Sequence, residues 1–497
     1  MSLLSTYKEV VNTPVRRQVL LGLTAAYLLV QVASFPVALA LPTIADEFLV
    51  DVETAAWIMI AELLALGSTV FLGAKLGDRH GHNRVFFIGI VVSTLGAALA
   101  GFSQDLTQLI LFRGVQGLGA ALIMGNANAI LAGYFPPQQR GRAFALPITG
   151  ARMGTFIGLI LFAIFLQFIG WRIIFYSFIP LGVFTLWMAL PLLRQPPQRV
   201  VKAEVPVDLI GAFLFIGAIG ALILSGMHVH GGEESFTSKD ALRYHVPMHV
   251  LFLALLGAFL LVERKMRQPF VDLGQFKNKQ FSMALFSNVT FHLSMVAIMT
   301  LVPIMVEEGF GYGPLLVLYI LLPHQSMGLF IPLIAGWYYD KYSPRLMRPI
   351  AMALIALGVL LLGMFALHVP FWIIPLLLFP ASIGTAIFNT VNNAVIMNSL
   401  PQEQRGFASG MIETTRHVGH TMGATIAASA LGLAIPAGVS LLSPEESHGY
   451  YLKGLQTSAL AVVGVILIGS FVAFQHRPSP QRESATSPQP AASGDGD

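Results

Sequence analysis

The chain has 497 residues, of which 55% are hydrophobic and only 11% charged, with a formal net charge of +4. Soluble domains carry about 25% charged residues, and a chain of this length would split into charged-surfaced domains rather than bury so much apolar surface in one core. A water-soluble protein is therefore excluded. So is a nucleic-acid binder, because the basic residues cluster in short loops, and the absence of Cys rules out disulfides and thiolate metal sites.

The opening stretch "MSLLSTYKEVVNTPVRRQVL" lacks a short apolar region ending in a small-residue cleavage site. Arg16 and Arg17 therefore read as flanking a retained first span rather than as part of a signal peptide. A bilayer span needs about 20 mostly apolar residues. Such runs predict helices at 18–41, 53–76, 84–102, 106–134, 142–168, 172–193 and 207–227. Seven more follow at 248–266, 281–306, 314–338, 348–367, 371–399, 405–434 and 453–474. The expected fold is all-α integral membrane, with fourteen transmembrane helices. Residues 475–497 are rich in Ser, Pro and Gln and read as a disordered tail.

The loops set the expected topology. Those after the even-numbered spans carry Arg79/Arg84, Arg140/Arg142, Arg194/Arg199/Lys202, Arg264/Lys265/Arg267/Lys277/Lys279, Lys341/Arg345/Arg348 and Arg405. The opposite loops carry Asp46, Glu47, Asp51, Glu53, Asp105, Glu307, Glu308, Glu445 and Glu446. Loop cations stay on the cytoplasmic side, so both termini are expected in the cytoplasm and the protein in the cell (inner) membrane.

The halves repeat. Shifting "PPQQRGRAFALPITGARMGTFIG" (136–158) by 265 residues places it on "PQEQRGFASGMIETTRHVGHTMG" (401–423). Pro136, Arg140, Gly141, Ala143, Gly154 and Gly158 then fall on Pro401, Arg405, Gly406, Ala408, Gly419 and Gly423. A nearby shift sets Asp78 of "LGDRHGHNR" on Asp340 of "YYDKYSPRL". The expected organisation is a pseudo-symmetric six-helix bundle at 1–193, two inserted helices within 194–280, and a second bundle at 281–474. Parallel repeats of this kind belong to transporters whose halves rock around a midplane site.

The hairpin "AKLGDRHGH" (Ala74 to His82) resembles the loop signature of the major facilitator superfamily, and "RGVQGLGAA" (Arg113 to Ala121) resembles its fourth-helix motif. "ALPTIADEF…AAWIMIAELL", "GWRIIF", "VDLGQFKNKQF" and "VPIMVEEGFGYGP" are similar to its fourteen-helix drug:proton antiporters. The resemblance implies a transporter, not an enzyme, that takes a small-molecule substrate and uses protons as coupling ion. It also implies a conformational latch of Asp78, Arg79, Gly81 and Arg84, echoed by Asp340, Lys341 and Arg345, in which Asp78 meets a helix start and a basic residue. The chain departs from the antiporter pattern at Ala33, Phe35 and Glu62, and at Gly154-Thr155-Phe156-Ile157-Gly158-Leu159.

Ionisable groups inside a span are costly and face a cavity or a partner. Glu62 and Arg113 lie at matching depths, roughly 12–15 Å from one end of their helices, and an ion pair between them is expected, either structural or proton-handling. Arg152 projects opposite to Gly150, Gly154 and Gly158 on the fifth span; the glycines are expected to pack on a neighbouring helix, and Arg152, Thr149 and Thr155 to face a polar cavity. In "GMIETTRHVGH", Glu413, Arg416, His417 and His420 occupy one face. Glu413 with His417 and Arg416 with His420 are expected neighbours there. Glu413, Glu62, His417 and His420 are candidates for proton coupling, since His titrates near neutral pH. Arg152, Arg416, Arg113, Gln31, His324, Gln325, Asn128 and Asn393 are candidates for the substrate cavity. His292 reads as an interior polar residue, and "MHVHGG" (His228, His230) has ligand-like spacing without further support.

The resulting expectation is a proton-coupled exporter of a small amphipathic organic compound working by alternating access, monomeric and with room for a periplasmic adaptor. No cofactor or metal is implied; with no Walker sequence, ATP is not the energy source. Two alternatives stay open: an importer or exchanger of an organic anion, which the losses at Ala33 and Thr155 and the gains at Arg152, Arg416 and the histidines would suit, and a non-transporting ligand sensor or scaffold.

Overall fold

The computed structural model describes residues 3–50, 52–195, 208–227, 244, 246–266, 269–313, 315–366, 368–434 and 444–475. His228, His230 and nearly all of the expected tail lie outside them. The described helices are α1 (Leu3–Val10), α2 (Pro14–Ser34), α3 (Leu41–Phe48), α4 (Val52–His80), α5 (His82–Gly101), α6 (Leu106–Tyr134), α7 (Arg140–Phe168), α8 (Arg172–Leu193) and α9 (Leu209–Met227). They continue with α10 (Val246–Glu263), α11 (Lys279–Ile304), α12 (Leu315–Tyr342), α13 (Met347–Phe365), α14 (Ile374–Leu377), α15 (Phe379–Ser399), α16 (Arg405–Ala434) and α17 (Pro444–Gln475). Twelve helices among the described residues are long and apolar enough to cross a membrane. α9, with a shorter apolar stretch at Leu209–Ser225, and the more polar α16 stand at the two other predicted positions.

Several predicted boundaries move. The first span stops at Ser34 rather than 41, and a 3-10 segment, Phe35–Ala40, turns the chain into α3. Proline at position 36 lacks the N–H that would continue the helical ladder, while a proline is tolerated in the first turn of α3. The expected span 371–399 is likewise broken into a 3-10 turn, α14 and α15, since Pro380 has no N–H to bond the carbonyl four residues back and its ring crowds it. At the opening hairpin α4 runs on to His80, and Gly81, at φ 95°, makes the turn into α5. The Gly81 turn defines the hairpin face of the molecule.

Large apolar side chains such as Leu95, Phe168, Trp187, Leu261, Phe330 and Phe471 are exposed around the outside. Patches on that scale are unstable in water and fit a bilayer. Inside, small residues set the packing. α7 lies on α2 and α16 lies on α11. A Cβ on Gly150 or Gly154 would strike Thr24 and the Leu28 carbonyl, as one on Gly419 or Gly423 would strike the carbonyls of Val289 and Leu293. Gly423→Ala is therefore expected to destabilise the protein by about 1–3 kcal/mol through overpacking, read as a lower unfolding temperature in detergent; an unchanged temperature contradicts this contact.

The apolar core is continuous on the hairpin face. There Phe281, Val391, Met397, Phe407 and Ile412 from the C-terminal helices join the same buried cluster as Val70, Phe71 and Phe144. Phe71 meets Phe215, Phe270 and Phe407 at ring separations of 5.4, 5.2 and 5.8 Å. A second core, from Phe291 to Ile466, belongs to the C-terminal helices alone. At the opposite end Glu47 of α3 accepts hydrogen bonds from Trp171 and Arg172 of the α8 end. Burial acts to raise the Glu47 carboxyl, but those two donors outweigh it and hold the group below its usual range. This clasp is intact at neutral pH and is lost as pH falls through that lowered value.

Candidate functional site

Two aspartates join the halves on the hairpin face. Asp340, near the end of α12, accepts hydrogen bonds from the backbone N–H of Gly141 (2.8 Å) and of Arg142 (3.0 Å) and from Arg142 Nε (2.9 Å). It thus caps the first turn of α7, whose N–H groups have no partner inside the helix and whose end carries partial positive charge. Asp78, at the end of α4, takes the equivalent place against α16: a Cβ on Gly406 would collide with its carboxylate. Its basic neighbour is His82, with Nε2 at 3.4 Å. Arg140, absent from the expected latch, donates to the Met397 carbonyl (2.9 Å) and to Asn398 Oδ1 (2.6 Å). The other expected latch cations stay on their own half. Lys341 lies over the Trp337 and Tyr342 rings, and Arg345 over Phe474. Arg79 and the exposed Arg84 carry no ion pair among the described residues.

Behind this closed face lies a cavity of about 510 Å³ between the halves. Gln31 and Ser34 of α2, Arg152 and Thr155 of α7, Gln325 of α12 and Glu413, Arg416, His417 and His420 of α16 line it. The wall extends to Leu39, Pro303 and Glu307, near the helix ends opposite the hairpin face. Its apolar part includes Leu63, Leu66, Met295, Met299 and Leu321.

The stripe on α16 reaches this cavity, and the i,i+4 pairings expected along it give way to others. Glu413 Oε1 accepts from Asn128 Nδ2 at 3.0 Å and lies 3.3 Å from Arg416 Nη2, three residues on rather than four. Asn128 Oδ1 in turn accepts from the Tyr27 hydroxyl at 3.0 Å. Glu413 Oε2 is buried with no hydrogen-bond partner among the described residues. His420 pairs with His292 at 3.2 Å rather than with Arg416. His292 therefore belongs to the cavity, although its sequence context, "TFHLSM", marks it only as an interior polar residue.

Other candidates lie elsewhere. Arg113 and Glu62 do form the expected pair, at 2.6 Å and both fully buried, but neither lines the cavity. α6 packs so closely on α4 that a Cβ on Gly117 would strike the Glu62 carbonyl, which directs Arg113 into the helix contact. There it also donates to the Ile58 and Ala33 carbonyls, both at 3.2 Å, and to Gln116 Oε1 at 2.6 Å. His324 is turned about 100° from Gln325 and meets Ser382 Oγ at 2.7 Å instead of the cavity. Asn393 is buried one turn beyond the cavity-lining Asn389, toward the hairpin face. Asn128 sits behind the wall, reaching the site through Glu413. Half-buried Thr149 keeps its hydroxyl outside the cavity lining, while Thr155 lines it.

A bundle of apolar helices around a central cavity, shut at one face by paired helix caps, defines a membrane transport architecture. A family model of the Major Facilitator Superfamily matches residues 23–424, so the chain belongs to that superfamily. It is a multi-pass membrane transporter and not an enzyme. It is similar to the riboflavin transporter RibZ of Clostridioides difficile (strain 630), 26% identical over 385 residues, covering 78% of this chain and 81% of that protein. It is also similar to the multidrug resistance protein Stp of Mycobacterium tuberculosis (strain CDC 1551 / Oshkosh), 27% identical over 395 residues, 79% of this chain and 71% of that one. Among solved structures, the proton:xylose symporter XylE bound to 6-bromo-6-deoxy-D-glucose shares the fold, with a TM-score of 0.57 and 13% identity over 89% of this chain and 94% of that one.

Proposed function

We propose that the protein exports a small amphipathic organic compound in exchange for protons, by alternating access across the cytoplasmic membrane. In this reading it is a monomer with fourteen spanning helices, α9 and α10 being inserted between two six-helix halves. The hairpin face and both termini are cytoplasmic, and the cavity is open to the outside. The observation that carries the proposal is Glu413. Its carboxylate lies between Arg416 and Asn128, on helices from opposite halves, at the wall of the central cavity. Burial favours the protonated form of such a group and Arg416 favours the ionised one, so rocking of the halves shifts the balance between them. The export direction takes support from the similarity to a multidrug resistance protein.

The test is transport by purified protein in proteoliposomes, with an imposed pH gradient and a panel of aromatic compounds of differing charge. Accumulation of at least one compound that collapses with the gradient is expected; accumulation indifferent to the gradient would contradict proton coupling. The two caps give a further expectation. Asp78→Asn and Asp340→Asn each remove charge from a helix start, and each is expected to lower the transport rate by about tenfold or more while leaving expression intact, since a cap worth about 1–2 kcal/mol shifts the conformational balance by roughly that factor. A wild-type rate in both variants would show that the caps do not control the cycle.

A further inference from the structure

The two guanidinium groups in the cavity are not equivalent. Arg416 is 3.3 Å from Glu413. Arg152 has no carboxylate within ion-pair distance among the described residues. Its Nη1 donates to Gln325 Oε1, and its Nη2 has only the Met295 sulfur, at 3.8 Å. Gln325 is itself held from behind, its Nε2 pointing at the Met299 sulfur at 3.9 Å. Every partner of Arg152 is thus neutral, and sulfur is a weak acceptor. Glu307, the other carboxylate of the lining, lies at the helix ends opposite the hairpin face, so around Arg152 and Arg416 two cations stand against Glu413 alone.

A guanidinium in a low-dielectric cavity without an anion is a costly arrangement. It is kept fixed here by packing, since a Cβ on Gly328 would press on the Arg152 side chain, and by the Gln325 hydrogen bond. An incoming anion would replace the thioether contact with charge-assisted hydrogen bonds, which a planar guanidinium presents in a fork suited to carboxylate, sulfonate or phosphate oxygens. Beside it the wall offers Met295, Met299 and Leu321 to an apolar body.

We infer that the substrate of this cavity is an amphipathic organic anion, whose acidic group is bound by Arg152 and whose apolar body lies against the methionine-rich wall. Gln325 acts as a positioning residue for the guanidinium. The inference deepens the transport reading and rests on it only in taking this cavity as the substrate's.

The experiment is equilibrium binding to the purified full-length protein in detergent, with no gradient, so that a failure of proton coupling leaves the result unaffected. The probes are three sets of naphthalene derivatives: the carboxylate, sulfonate and phosphate; the neutral carboxamide; and the methylammonium. At least one anion is expected to bind about tenfold or more tightly than the neutral and cationic probes, the size of one charge-assisted hydrogen-bond pair. Arg152→Gln should reduce that anion to the affinity of the carboxamide, whereas Arg152→Lys should retain most of the preference. Gln325→Leu should weaken anion binding severalfold without changing carboxamide binding. The inference is overturned if no anion binds more tightly than its neutral counterpart, or if folded Arg152→Gln keeps the wild-type preference. Should Arg152→Gln fail to fold, the wild-type series and the Gln325→Leu split decide the matter.

Discussion

Arg113→Gln is expected to lower stability by about 3–5 kcal/mol, the cost of stranding one member of a buried ion pair. Glu62 would lose its 2.6 Å partner and keep only Ser34 Oγ, at 3.4 Å. The Ile58 and Ala33 carbonyls would each lose a donor as well, so the break runs through the α4–α6 contact and the end of α2. Glu62→Gln is expected to be costly too, because it leaves the guanidinium as an unpaired charge. Combining Glu62→Gln with Arg113→Gln removes both charges and should restore part of the loss. Thermal unfolding of the three variants in detergent measures the coupling. If the shifts in unfolding temperature simply add, the two residues do not act as a pair.

Glu413→Gln is expected to abolish pH-driven accumulation while leaving substrate exchange down its own gradient. Glutamine keeps the shape and still accepts from Asn128, but it neither titrates nor forms an ion pair with Arg416. A carrier locked in the equivalent of its protonated state can reorient with substrate yet has no proton to trade. Counterflow and pH-driven uptake, run side by side in the same proteoliposomes, separate the two functions. Retained accumulation in Glu413→Gln would move the proton site elsewhere, with Glu62 the next candidate.

Much of the fold is legible because lipid imposes a simple rule: every backbone polar group must be satisfied inside a helix, so apolar runs read directly as spans. The glycine seam of α7 was legible for a similar reason, since small residues four apart leave little to do but pack. What escaped is where local chemistry interrupts the run, as at Pro36 and Pro380. The site was legible in part. Four ionisable groups at helical spacing on α16 point to one cavity, and the structure places them on it. Their partners were legible only in part: Arg416 beside Glu413 follows from the stripe, but the contact with Asn128, on a helix 285 residues away in the chain, does not. His292 and His324 look alike in sequence, as single histidines in apolar runs. A neighbour decides between them: His420 draws one to the cavity, and Ser382 draws the other into a helix contact. The Phe71–Phe407 contact on the hairpin face joins residues far apart in the chain, and no periodicity marks the pairing.

The central claim is that substrate binding and the protonation of Glu413 are coupled, and proton exchange on binding tests it most directly. Purified wild-type protein in weakly buffered detergent solution, mixed with the compound that proteoliposomes accumulate, should shift the pH of the medium, and Glu413→Gln should bind the same compound without a shift. Equal shifts with both proteins, or none with the wild type at any pH between 5 and 8, the range in which maximal protein stability tends to lie, would contradict it.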